Sequence, residues 1–157
     1  METWCGMNID KIHDCEKVEQ QIFRKILNAH SRTPTECLYL ELGIMPLRYH
    51  LIMKRLNYCY DIMQRKDSEL VKQIILAQKI DPIKEDFWDQ VRQNLDEANL
   101  ILEDLIKLNK ESAKQLVKEK VEGSAYKFLI NQGLSHSKTH TRIYNDLQGM
   151  QYLKDER

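Results

Sequence analysis

Only five glycines and three prolines punctuate the 157 residues of this chain, and that shortage narrows the fold more than any other feature. An all-β chain needs turn residues roughly every 8–12 positions, and such a supply is missing. Helices are what remains. Hydrophobic residues make up 42% of the chain, enough for a core, while charged residues at 31% make a long apolar span unattainable. Apolar runs stay as short as Ile74 to Ala77, well below the ~20 residues of a membrane span or the ~7–15 of a secretory signal. The expected fold class is therefore all-α, an irregular array of about six or seven helices inside the cell, with no membrane partner.

The pattern of apolar positions divides the chain further. Asn8 is placed to cap a helix whose stripe is Ile9, Ile12, Cys15, Val18, Ile22, Phe23, Ile26 and Leu27, ending near Ala29. Thr33-Pro34-Thr35-Glu36 reads as a capping box for a short second helix through Leu38, Leu40 and Leu42, which Gly43 stops in a left-handed turn. Pro46 opens a third helix reaching about Arg65. Asp67-Ser68 caps a fourth through Leu70, Val71, Ile74 and Ile75 to about Lys79. The stretch from Lys79 to Asp86, broken by Asp81-Pro82, reads as a linker and places a subdomain boundary between 79 and 80. Phe87, Trp88, Val91 and Leu95 give a fifth helix, and Leu102, Leu105 and Ile106 a sixth. The seventh runs from about Ser112 to Asn131, with Leu116, Val117, Val121, Ala125, Phe128 and Leu129 as its stripe, and ends against Gly133. Lys110, Lys114, Lys118 and Lys127 scatter over its remaining surface. Residues 134–157 read as a less ordered C-terminal tail, polar until Tyr144, Leu147, Met150, Tyr152 and Leu153.

The third helix holds the most informative arrangement. At 100° per residue Leu51, Ile52, Leu56, Cys59, Ile62 and Met63 share one face, and Arg48 and Arg55 fall in the middle of it. His50, Lys54, Asn57, Asp61 and Gln64 lie opposite. A guanidinium withdrawn from water requires a carboxylate, backbone carbonyls, or a phosphate from a bound nucleic acid. One solution is an internal ion pair of Arg48 or Arg55 with Glu36 or Glu41. The other faces a ligand.

Little else in the residues points to chemistry. The chain is neutral in total, 24 basic against 24 acidic residues, but unevenly so: ten acids against four bases over 67–104, six bases against three acids over 31–66. Segregation of this kind can steer a polyanion to one end, although solvated helix faces commonly show it. Cys5, Cys15, Cys37 and Cys59 contain no Cys-x-x-Cys pair and read as free thiols in a reducing compartment. No glycine-rich phosphate loop occurs. His136 and His140 have an i, i+4 spacing without further ligands, and Cys37 with His30 or His50 reads as core filling rather than a nucleophile pair. The carboxylates Asp86, Asp89, Asp96 and Glu97 fall at expected solvent-facing positions, so no general acid/base pair, metal or cofactor is predicted.

The stretch from Ile22 to Glu36 (IFRKILNAHSRTPTE), followed by Leu38 to Tyr49 (LYLELGIMPLRY), resembles the region just downstream of the reverse transcriptase palm in LINE-type (non-LTR) retrotransposon polyproteins. Further pieces agree in order: Arg55-Leu56-Asn57-Tyr58, Ala77-Gln78-Lys79 with Asp81-Pro82, Leu116 to Lys120, His136-Ser137-Lys138, and the closing Tyr144, Leu147 and Met150 to Leu153. The resemblance implies a thumb or connection-like helical subdomain over 1–79, a second helical subdomain over 80–133 and the tail over 134–157. It also implies an ancestral role in bracing a template–primer duplex, RNA–DNA or RNA, through Arg32, Arg48, Lys54 and Arg55. The missing polymerase domain of the parent polyprotein is a further implied partner. No Asp-Asp pair occurs anywhere, so the paired metal ligands of a polymerase are lacking and the expectation is a non-catalytic fragment. Glu2-Thr3-Trp4 resembles residues inside longer polyproteins, which makes Met1 an expected internal start. A helical protein-interaction module without a nucleic-acid role is the alternative.

Overall fold

A computed structural model describes residues 9–81, 83–84 and 86–136, and among these all regular structure is helical. Seven helices follow in order: α1 (Ile9–Ile26), α2 (Thr35–Leu42), α3 (Leu47–Met63), α4 (Leu70–Ile80), α5 (Phe87–Glu97), α6 (Leu102–Lys107) and α7 (Lys110–His136). Asn8 and the residues after 136, to which a cap and most of a tail were assigned, lie outside the described residues.

Helix α3 is the axis of the fold. It packs against α1, α4, α5, α6 and α7, and its predicted apolar face is buried throughout, from Leu51 to Met63. Tyr49 and Tyr60 are buried as well, so α3 is enclosed around more than the expected arc. The main apolar cluster joins Ile52, Leu56 and Cys59 of α3 to Val91 and Leu95 of α5, Leu105 of α6, and Val117, Val121 and Ala125 of α7. This cluster is continuous across the 79/80 boundary. A smaller one gathers Phe23, Leu38, Tyr39 and Leu129 from α1, α2 and α7, with the Phe23 and Tyr39 rings edge to face at 5.4 Å. Phe128 touches both clusters, so α7 closes the two together.

Three helices stop by one device, a residue in the left-handed region one or two positions past the helix end. Gly43 has φ 63°, and the bonds from Gly43 N–H to Leu40 O and from Ile44 N–H to Tyr39 O complete the predicted stop of α2. Asn28 and Asn99, at φ 49° and 50°, do the same after α1 and α5, the Ala29 and Leu100 amides reaching back to Arg24 O and Leu95 O. Asparagine tolerates this conformation better than other non-glycine residues.

Several local expectations are corrected. The capping box at Thr33 is not formed: Pro34 occupies the N-cap of α2 with no side-chain cap, and Arg24 Nη1 instead donates to His30 O and Thr33 O, at 3.0 and 2.8 Å. A long side chain from α1 thus holds the turn that a short local one was expected to hold. Glu69, not Asp67 or Ser68, is the N-cap of α4, again without a side-chain bond, because Asp67 is drawn into a 2.7 Å ion pair with Lys72. Helix α7 passes through Gly133 to His136. Glycine inside a helix costs about 1 kcal/mol against alanine, and packing of Leu129 into the smaller cluster holds these last turns.

Candidate functional site

The two arginines of α3 have different surroundings. Arg55 is wholly buried, and its Nη1 donates to Asn94 Oδ1 at 3.0 Å. Asn94, also buried, donates in turn to Gln90 O of its own helix at 2.7 Å. A guanidinium is more weakly hydrated than an ammonium, and a neutral amide oxygen oriented by a helix carbonyl is a fitting acceptor for it. One turn further along α3 the Cys59 thiol lies among apolar neighbours, where burial pushes its pKa from 9.0 up to about 12.

Arg48 sits nearer the surface, its side chain 28% exposed. Its Nη2 meets Glu97 Oε1 at 2.7 Å, and its guanidinium carbon lies 4.8 Å from the Tyr49 ring centroid and 5.1 Å from that of Phe128. The backbone N–H of Arg48 donates to Glu16 Oε1 at 3.0 Å, so a carboxylate from α1 caps the start of α3, where the helix dipole favours negative charge. Ser124 Oγ of α7 donates to Glu97 O at 2.9 Å. Burial raises the Tyr49 phenol, with Arg48 opposing that rise. The result is a polar seam that ties α1, α3, α5 and α7 together.

Glu36 and Glu41, the expected partners, bond to neither arginine; Glu97 and Asn94 of α5 take those places. The physical reason is packing, since α5 lies along the inner face of α3 while α2 packs mainly on α7 and α1. Of the four residues assigned to a duplex, only Arg32 and Lys54 are exposed, and Lys54 is turned about 100° around α3 from the buried Arg55. The four are not gathered into one surface. An open cleft of about 490 Å³ is lined by Tyr60, Asp61, Gln64, Arg65 and Lys110, and a 2.9 Å pair between Lys110 and Asp61 crosses it. Among the described residues no group of three or more His, Cys, Asp and Glu side chains is placed to hold a metal ion, and no helix is long and apolar enough to cross a membrane.

No protein-family model, curated protein or solved structure matches this chain.

Two surfaces escaped the sequence reading. The stripe of α1 was expected to face the core as a whole, yet Val18, Ile22 and Ile26 are 50–65% exposed, and of the seven expected positions from Ile12 to Leu27 only Ile12 and Phe23 are buried. The inward side is taken instead by Glu16, on Arg48 N–H, and Glu19, which accepts from Tyr39 Oη at 2.9 Å. Asp89, placed at the surface by its charge, is in turn buried and pairs with Arg92 at 2.7 Å. The larger surprise is α4. Seven of its eleven residues are aliphatic, but only Ile75 is buried, while Leu70 is 70% and Ile80 85% exposed. The signal was present: Leu70, Ala77 and Ile80 lie within about 40° of the direction opposite Ile75, so the helix carries aliphatic residues on two sides and has two faces to cover.

Proposed function

We propose that this chain is a non-catalytic helical module that works by protein contact, with the outward apolar face of α4 as its contact surface. The observation that carries this reading is the exposure of Leu70, Ile74 and Ile80 together with Ile83 just beyond the helix. A contiguous exposed apolar patch of this kind marks an interaction surface more often than a solvated one. The engagement of Arg48 and Arg55 inside the chain supports it further, because neither guanidinium is offered to a ligand. A photo-crosslinking residue at Ile74 or Ile80 is expected to give protein adducts, and the same residue at exposed Lys118 of α7 is not. Equal adducts at all three positions, or none at α4, would overturn the reading.

The ordered blocks of likeness to LINE-type retrotransposon polyproteins, together with the exposure of Arg32 and Lys54, favour a second reading: a remnant that braces a nucleic-acid duplex through surface cations. Phosphate contacts of this kind are sequence-independent and weaken steeply with salt. Fluorescence anisotropy with a labelled RNA–DNA hybrid at about 50 and 200 mM salt tests it. Salt-sensitive binding lost in Arg32→Ala and Lys54→Ala would support the duplex, and absence of binding at low salt by the folded chain would dismiss it.

A further inference from the structure

We propose that the exposed row of α1 is the docking site of the chain's own segment 143–153, whose apolar residues cover Cys15, Val18, Ile22 and Ile26. This goes beyond the reading of α4 as the contact surface and leaves that face for another protein.

The row on α1 is the second apolar surface of the molecule. Cys15, Val18, Ile22 and Ile26 are all exposed and lie within about 80° of one another around the helix. Their common direction is turned about 90° from the buried Ile12 and Phe23. They therefore form a shoulder beside the packed side of α1, while Asp14, Gln21 and Lys25 take the outermost edge. An element laid on this shoulder extends the existing core.

The course of α7 decides which segment reaches it. Helix α7 begins at one end of α3, where Lys110 pairs with Asp61 at 2.9 Å. It passes the other end, where the Phe128 and Tyr49 ring centroids are 6.0 Å apart. The chain enters α4 from the first end. Helix α1 lies at the second, with Glu16 on Arg48 N–H and Phe23 in one cluster with Leu129, and Gly133, one turn further along α7, is still buried. The chain is thus delivered beside the helix that carries the row. From Leu129 to His136 is about 10 Å of helix, and residues 137–142 can span up to about 20 Å. Ile22 adjoins Phe23, so the row is within that reach.

The sequence of the segment fits the site. Ile143, Leu147 and Met150 fall within about 60° of one another at helical spacing, with Tyr144 and Leu153 on the two flanks. A helix this short is marginal in water by itself, and an apolar row on a neighbouring element supplies the burial it requires.

Crosslinking within the full chain tests this. A photo-crosslinking residue at Ile22, in purified protein kept dilute, is expected to give an adduct of monomer mass on the tryptic peptide 143–154, which Arg142 and Lys154 bound. The same residue at Ile80 is expected not to capture that peptide. Alkylation of Cys15 supplies a second reading. Leu147→Asp and Ile22→Asp are each expected to raise its rate at least about fivefold, as loss of a local cover worth that factor would, with far-UV circular dichroism unchanged. Ile80→Asp is expected to leave the rate as it is. Adducts from Ile22 that fall elsewhere in the chain, or only at twice the monomer mass, overturn the proposal. So does a Cys15 rate that responds to Ile22→Asp and not to Leu147→Asp, or to neither. None of these outcomes touches the α4 reading, which stands or falls on adducts at Ile74 and Ile80.

Discussion

Helices α3 and α4 are neighbours in the chain, yet they treat polarity in opposite ways. Helix α3 carries a guanidinium into the centre of the protein and buries it beside Asn94. Helix α4 buries no charge at the centre, and it leaves most of its aliphatic side chains in water. Burial here follows the number of neighbours rather than the composition of the helix. Five helices surround α3, whereas α4 leans on α3 and α5 from one side. Most of the circumference of α3 is enclosed, an arginine included, whereas a side chain of α4 is enclosed only if it happens to face inward.

Changes in stability can break or sharpen that contrast. Arg55→Ala empties a fully enclosed site and leaves the Asn94 amide oxygen without its Arg55 donor, and is expected to lower unfolding free energy by about 3–5 kcal/mol in urea titrations. A loss under 1 kcal/mol would show the arginine is dispensable to the core. Ile75→Ala, at the single buried position of α4, is expected to cost about 2 kcal/mol, and a cost matching that of Arg55→Ala would erase the distinction between the helices.

The third test is pH. Burial raises the Cys59 thiol in the folded chain, so the folded state keeps a proton that the unfolded chain releases. Its contribution is complete below about pH 9 and declines by about 1.4 kcal/mol per pH unit as pH rises towards 12. Tyr39 and Tyr49, also raised by burial, add to the decline from the ordinary tyrosine range upward. Urea midpoints measured from pH 8 to 10 should fall for the natural chain and flatten in Cys59→Ala between about 9 and 10. The smallest effect belongs to the outer face of α4, where Ile80→Gln is expected to change the stability of the monomer by less than about 0.5 kcal/mol. A larger loss at concentrations where the chain is monomeric would mean that this face is covered within the molecule.

The fold was legible to the extent that periodicity speaks for itself. The seven helices, the corner at Gly43 and the inward stripes of α3 and α7 follow from spacing and stop signals that act within one turn. What spacing could not supply was the neighbour. The stripe of α1 has a regular apolar pattern, but which side of it faces inward was decided by Arg48 N–H and the Tyr39 hydroxyl, 32 and 20 positions beyond Glu16 and Glu19, the carboxylates they respectively meet. Thr33 lost its capping role to Arg24 for the same reason. The inward placement of Arg48 and Arg55 could be read from angle alone, and the naming of Asn94 and Glu97 required knowing that α5 lies along α3. Asp89 shows the limit from the other side, since a charged residue can be buried once Arg92 and Gln93 bind it.

The closing role of α7 has a consequence for the order in which the molecule becomes whole. Both apolar clusters draw on α7, and its contribution to the main one begins at Ala113, about fifty residues after Cys59. During synthesis at about 5–20 residues per second, α3 therefore waits several seconds for the helix that covers it. Until then the side of α3 that α7 covers remains open to solvent and to chaperones, and the last of the described helices is the one that turns a string of local segments into a cooperative whole.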